Sequence, residues 1–367
     1  MKMRPSVVKQ MAAGMRAASL LAAAVLSVAC GSVRDSSGAG KGNRYARYFE
    51  LLDSAVVSIS PYDGHRDTVR TTEPVETLVC FSSSYVGFLS ALGCQDVAAG
   101  VSGVRYITDP VVRTRAVEVG YEANPDYEAI FLLHPDLLLT YTISPSEPTY
   151  ITKLLSIKTK VLVLYEHLEN HPLARSEYLR LFGALTHREK EADSLFSAIE
   201  KRYLALSGAV DAVREKGGKT QRVLLNIPYN DQWYVPGTDS YMAQLIRDAG
   251  GEISGARAGV SGSTSISVEE AFALSQEADC WLHPGWCRSR ADLRSVHPLF
   301  PSFPVLERNV WNNTLRTTPE GGNDFWESGA VRADLVLEDL VRILHPETEL
   351  PEQARNEGGM TYYVQLQ

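Results

Sequence analysis

Cysteine is scarce in this chain, at five in 367 residues, and no two cysteines stand in a CxxC spacing. A disulfide-framed fold and a zinc site of the finger or ribbon kind are both excluded on that count. Four of the five follow Cys30, and two of those, Cys80 and Cys280, sit in apolar, strand-like runs as small core residues would. Missing too are a GxSxG elbow, a Walker loop, an HExxH pair and a glycine fingerprint after a strand. The reading is therefore a protein that is not an enzyme and has no resident cofactor, with an exported hydrolase using a serine of Ser82–Ser84 as the lesser alternative. Histidine is also sparse, at eight, and no loop combines it with acids as a bare zinc or manganese site would need.

Long hydrophobic runs are absent with one exception. Lys2, Arg4, Lys9 and Arg16 precede an uncharged stretch from Ala17 to Ala29, which ends at Cys30 and Gly31. The run is too short to span a bilayer, so residues 1–29 read as a signal peptide. Small residues before Cys30 suggest lipoprotein processing with acylation at that cysteine, although Ser27 stands where such boxes usually carry leucine. Residues 30–44 are then the lipidated cysteine and a Gly/Ser-rich tether. Loss of the leader leaves 32 basic against 44 acidic side chains, a net charge of −12. So acidic a chain is a poor partner for nucleic acid. The expected location is the periplasmic side of the envelope, held to the membrane through the lipid alone.

What is present is an alternation of short apolar runs with amphipathic ones, the pattern of strand–helix units building a mostly parallel sheet. "TLVCF", "VAAGVSG", "DLLLTY" and "KVLVLYE" read as strands of a first lobe over 45–180, with "DYEAIFLLH" a short helix. An added strand or hairpin at Tyr45–Thr72 carries a turn at Pro61–Gly64. Over 181–218 a long helical pattern repeats Leu195, Ile199, Tyr203, Leu206 and Val210 at three- and four-residue spacing. A helix of that length is better suited to bridging two lobes than to sitting inside one. The strand–helix pattern restarts over 219–348, with a tail at 349–367. The halves echo one another, Glu128 to Asp136 before "LLL" and Glu270 to Asp279 before "CWL". The fold class is α/β: two Rossmann-like lobes bridged by one long α-helix.

Four stretches carry a resemblance to a known family: "ETLVCFSSSYVGFLSALGCQDVAAGVS", "VGYEANPDYEAIFLLHPDLLLTY", "SYMAQLIRDAGGE" and "ISVEEAFALSQEADCWLHPG". In that order the chain resembles the periplasmic substrate-binding proteins of ABC importers, of the type whose two α/β lobes share one long helix. The resemblance covers roughly residues 76–347. It implies a monomer that captures an iron chelate, ferric siderophore or haem, and delivers it to a permease and ATPase complex, with cobalamin as the alternative cargo. It further implies an acidic docking residue on each lobe; Glu128 matches the first, and Asp248 is assigned to the second.

A pocket for a large flat metal chelate needs aromatic walls and one or two cations. Strand-end loops supply Ser83, Ser84, Tyr85, Arg105, Tyr106, Tyr121 and Tyr141 in the first half, and Trp233, Tyr234, Trp286, Arg288 and Trp326 in the second. Trp233 and Trp286 are the first choices, because polar turns leave a large ring little else to cover. Arg105 and Arg288 are candidates to pair with cargo carboxylates. Tyr165, His167 and His171 of "YEHLENH" are possible axial ligands to haem iron, whereas His134, His283 and His345 in "LHP" triplets read as local structure.

Overall fold

The computed structural model describes residues 42–146, 148–230 and 232–367. The expected leader and Cys30 lie outside them. The described chain opens with an antiparallel meander of β1 (Phe49–Leu52), β2 (Ala55–Ile59) and β3 (Arg66–Arg70). This is the added hairpin with one more strand, and β2 buries Val56 and Val57 as it packs beside the first lobe.

Strand β4 (Leu78–Cys80) leads through a serine turn into α1 (Ser83–Ala91), then β5 (Ala98–Val101), α2 (Pro110–Arg115) and β6 (Val117–Glu118). A small ribbon of β7 (Gly120–Tyr121) and β8 (Asn124–Pro125) precedes α3 (Tyr127–Leu133), β9 (Leu137–Tyr141), α4 (Thr149–Ser156) and β10 (Val161–Leu164). The five long-range strands form one parallel sheet in the order β10-β9-β4-β5-β6. Leu78, Val79, Cys80 and Leu137–Leu139 are all buried, as central parallel strands with both faces covered must be. The order reverses between β4 and β9, so the loops leaving their carboxyl ends diverge and open a crevice there.

Two short helices follow, α5 (Pro172–Ser176) and α6 (Tyr178–Thr186), before α7 (Glu189–Glu215). The long helical pattern is thus broken once: His187 adopts a left-handed φ of 53°, ending α6, and the bridging helix starts at Glu189. At roughly 1.5 Å per residue α7 is about 40 Å long. Its buried stripe of Phe196, Ile199, Tyr203, Leu206 and Val210 faces both halves of the molecule, and Leu195 is half-buried at the edge.

The second lobe runs β11 (Gln221–Leu225), β12 (Trp233–Pro236), α8 (Tyr241–Asp248), β13 (Gly251–Ile253), β14 (Ser263–Ile266), α9 (Val268–Ser275) and β15 (Cys280–Leu282). It ends with α10 (Arg290–Val296), β16 (Asn309–Asn312), α11 (Ala333–Leu344) and β17 (Val364–Gln365). The sheet order is β13-β11-β15-β16-β17, parallel except for β17, while β12 and β14 pair as a separate antiparallel ribbon. Residues expected as a tail therefore close the second sheet. The buried Asp339 carboxylate of α11 holds them by accepting the backbone N–H groups of Thr361, Tyr362 and Tyr363.

The echo between the halves has a structural counterpart. Asp136, just before β9, accepts the N–H groups of Glu76 and Thr77 at the approach to β4; Asp279, just before β15, accepts that of Arg222 in β11. Cys80, Cys94, Cys280 and Cys287 are free and buried. Among the described residues no helix is long and apolar enough to cross a membrane.

Candidate functional site

A cavity of about 460 Å³ lies at the carboxyl ends of the first sheet's strands. It is floored by the turn after β4 (Phe81, Ser82, Ser83), the start of the loop after β5 (Ser102, Gly103), Tyr141 at the end of β9, and Glu166 and His167 after β10. The far wall comes from the segment between β16 and α11, which contributes Gly321, Gly322, Asn323 and Trp326. That segment can reach the first lobe because two glycines remove the obstacle. A Cβ on Gly322 would lie 2.1 Å from the Tyr106 carbonyl oxygen, and one on Gly87 in α1 would lie 2.3 Å from that of Glu327. The Glu327 side chain completes the join by accepting the N–H groups of Thr108 and Asp109 at 2.7 and 2.8 Å.

Of the residues named from the sequence, Ser83, Tyr106, Tyr121, Tyr141 and Trp326 line this cavity. Ser82 is the N-cap of α1, its side chain accepting the Ser84 N–H. Ser84 itself is buried beneath the cavity, where its hydroxyl donates to Glu166 at 2.9 Å. Tyr85 is core: it is fully buried, donates to the Thr140 carbonyl at 3.0 Å and packs on Phe182. Both were expected in the cleft, but the first turn of α1 points them into the lobe.

Trp233 also needs correction. Its run is a strand, so side chains alternate, and Trp233 faces inward while Tyr234 faces out. The indole stacks among Trp281, Phe300 and Phe303 and donates to the Leu225 carbonyl at 2.7 Å. Tyr234, Trp286 and Arg288 are exposed on the second lobe, outside the cavity lining, with Trp286 64% exposed. Arg105 stands outside it as well, its guanidinium 4.6 Å from the Tyr106 ring centroid.

The charged groups that do line the cavity were missed as such: Glu122, Glu166 and Arg175. Arg175 arrives from α5 and rests over the Tyr241 ring of α8 at 5.5 Å, 4.0 Å from the nearer Glu166 oxygen. Burial alone would raise the pKa of Glu166, yet His167, Arg175 and the Ser84 hydroxyl outweigh it and hold the carboxyl below its ordinary value, hence ionised. Tyr141 is pushed up, first by burial and then by its bond to Glu122, so its phenol keeps its proton and is a poor phenolate ligand for a metal.

Of the three candidate haem ligands in the histidine-bearing loop, only His167 reaches the cavity wall. Tyr165 is buried beside Tyr62, and His171 stacks on Tyr45 at 5.0 Å while accepting the Leu173 N–H. His283 is buried against the Tyr363 hydroxyl at 2.6 Å, with its pKa lowered to about 3 by burial. No group of three or more His, Cys, Asp or Glu able to hold a metal ion occurs among the described residues.

The expected docking acids differ from one another. Glu128 is exposed in the first turn of α3, beside the exposed Phe131 and Leu132. Asp248 is no free surface acid: Tyr203 and Gln244 donate to its carboxylate at 2.6 and 2.8 Å, and burial raises its pKa. Glu252, beyond the Gly250–Gly251 turn, is the exposed acid of that region.

Residues 78–295 match the family model described as periplasmic binding protein. The chain belongs to the periplasmic binding protein family. Among solved structures, a periplasmic haem-binding protein from Pseudomonas aeruginosa is similar over 80% of this chain and 98% of its own, at 17% identity and a TM-score of 0.60. A siderophore-binding protein from Vibrio cholerae with ferric Desferal bound is similar over 75% and 99%, at 15% identity and a TM-score of 0.55. These likenesses concern the fold. An uncharacterised lipoprotein of Methanocaldococcus jannaschii is 26% identical over 75% of this chain, which spans 66% of that relative's length.

Proposed function

We propose that this chain is the substrate-binding lipoprotein of an ABC importer, exported and anchored at Cys30, that carries a small-molecule metal chelate to its permease and ATPase as a monomer. The observation that carries the reading is the cavity at the switch point of the first sheet. Phe81, Tyr106, Tyr121, Tyr141 and Trp326 give it aromatic walls suited to a planar, largely apolar ligand. An iron chelate, ferric siderophore or haem, is the cargo in this reading, and cobalamin is the second. The haem- and siderophore-binding structures of the same fold support the chelate class.

Titrating the purified protein with haemin, cobalamin and ferric siderophores, and following tryptophan fluorescence with inner-filter correction, tests this directly. Trp326 lines the cavity, so saturable quenching that shrinks in Trp326→Phe supports the assignment. Absence of saturable binding by every chelate removes it.

A further inference from the structure

Glu122 is the cavity carboxylate that no cation answers. The other acid in the lining, Glu166, has Arg175 at 4.0 Å and His167 at 3.8 Å, so the positive groups of the cavity gather on that side. Glu122 forms no ion pair with any described residue, and its hydrogen-bond partner is the Tyr141 hydroxyl. A carboxylate can accept about four hydrogen bonds, so most of its capacity stays open. The side chain is only half-buried, which leaves it within reach of a cargo.

Its position is held from below. Glu122 sits in the turn of the β7–β8 ribbon, and that ribbon is fixed by Glu118, whose carboxylate accepts the N–H groups of Gly103, Val104 and Gly120 at 2.9, 2.9 and 3.0 Å. Gly103 adopts a left-handed φ of 70°, and a Cβ there would lie 3.2 Å from the Tyr106 ring and 3.3 Å from the Tyr121 ring. Both rings therefore converge on the bare Gly103 backbone, next to the turn that carries Glu122. Arg105 already claims Tyr106 from outside the cavity, which leaves Tyr121 and, on the far wall, Trp326 as free aromatic faces.

A carboxylate among aromatic faces suits an organic cation, since the charge attracts it directly and the rings attract it through their quadrupoles. A porphyrin propionate would instead meet like charge at Glu122. A neutral edge would bury the carboxylate with nothing to offset its lost water. Three hydroxamates neutralise ferric iron, so an appended amine sets the net charge of such a chelate, whereas three catecholates leave the core anionic.

We infer that the Glu122 carboxylate, with the Tyr121 and Trp326 rings, receives an ammonium carried by the cargo, and that the chelate is an amine-bearing ferric hydroxamate in preference to a carboxylate-bearing porphyrin. The inference rests on the chelate reading of the cavity and adds the charge class of the cargo.

Ferric Desferal supplies the test. Its one free amine can be left as the ammonium, acetylated to a neutral amide or succinylated to a carboxylate without altering the iron centre. Affinities of the purified protein for these three forms, for haemin and for cobalamin are measured by calorimetry at pH 8, where an ordinary primary amine is charged and an ordinary imidazole is not. In the wild type, the ammonium form should bind about tenfold tighter than the acetylated form, and the succinylated form should be weaker again. Glu122→Gln, which keeps an acceptor for Tyr141, should bring the ammonium and acetylated forms within about twofold of each other. Equal affinities, a reversed order, or a preference unchanged in Glu122→Gln overturns the cation receptor while leaving the chelate cavity standing. So does tighter binding of haemin than of the ammonium form, or binding of haemin or cobalamin with none of the hydroxamates. Failure of all five ligands to bind overturns both readings. The wild-type series needs no variant, so a misfolded substitution cannot decide the outcome.

Discussion

Two tryptophans separate binding from folding at the level of single residues. Trp326 is half exposed in the cavity wall, and Trp233 is fully buried among Trp281, Phe300 and Phe303. Trp326→Ala should weaken chelate affinity about tenfold or more with little change in melting temperature. Trp233→Ala should instead cost about 3–5 kcal/mol of stability, read from denaturant midpoints, because it empties the second lobe's aromatic core. Equal loss of stability in the two would show that Trp326 is structural. A titrating residue offers a further check. Burial pushes Asp339 up to about 6, against the pull of the N–H groups it accepts. The folded state thus holds a proton that the unfolded chain releases near pH 4, so this contribution is full below about pH 4 and is lost as pH rises through about 6. Comparing urea midpoints of wild type and Asp339→Asn from pH 4 to 7 isolates it, since asparagine keeps an acceptor but does not titrate. Parallel pH profiles would refute the shift.

Among elements, the decisive contact is between α1 and the segment leading to α11. The Gly87 backbone meets the Glu327 carbonyl so closely that any side chain must push the two apart. Gly87→Ala should cost about 1–3 kcal/mol and also weaken chelate binding, because the same segment carries Asn323 and Trp326 into the cavity. Lost stability with unchanged affinity would show that the wall forms independently of this join. The element pattern itself was largely legible. Buried strands such as "LVC" and "LLLTY" are short apolar runs closed by turn residues, and α7 repeats its core positions at helical spacing. Ribbon β12–β14 was not, since "WYVP" is short and surrounded by polar residues; only its pairing with Ser263–Ile266 makes the alternation of Trp233 inward and Tyr234 outward visible.

For the whole molecule, one long helix packed against both lobes resists wide hinge opening. Small-angle scattering should show little compaction when a chelate binds, and a large change would contradict a stiff bridge. Glu128 is exposed on α3, as the proposed docking role requires, so Glu128→Arg should reduce uptake by cells while ligand affinity in solution stays the same. Full-rate uptake would exclude it. The sequence by itself determined the class of fold, the order of its strands and helices, and several aromatic walls, because periodicity, turn residues and strand-end position are local properties of the chain. Tertiary structure alone decided which polar groups face the cavity. The sequence named Arg105 and Arg288 and passed over Arg175, and named Asp248, which Tyr203 claims from many residues away. Glu166 reaches the cavity because β10 ends beside β9, and Arg175 because α5 packs against α8. Such neighbours are many residues apart along the chain, so side-chain charge becomes a site only once the sheet order and the packing of the lobes have brought those residues together.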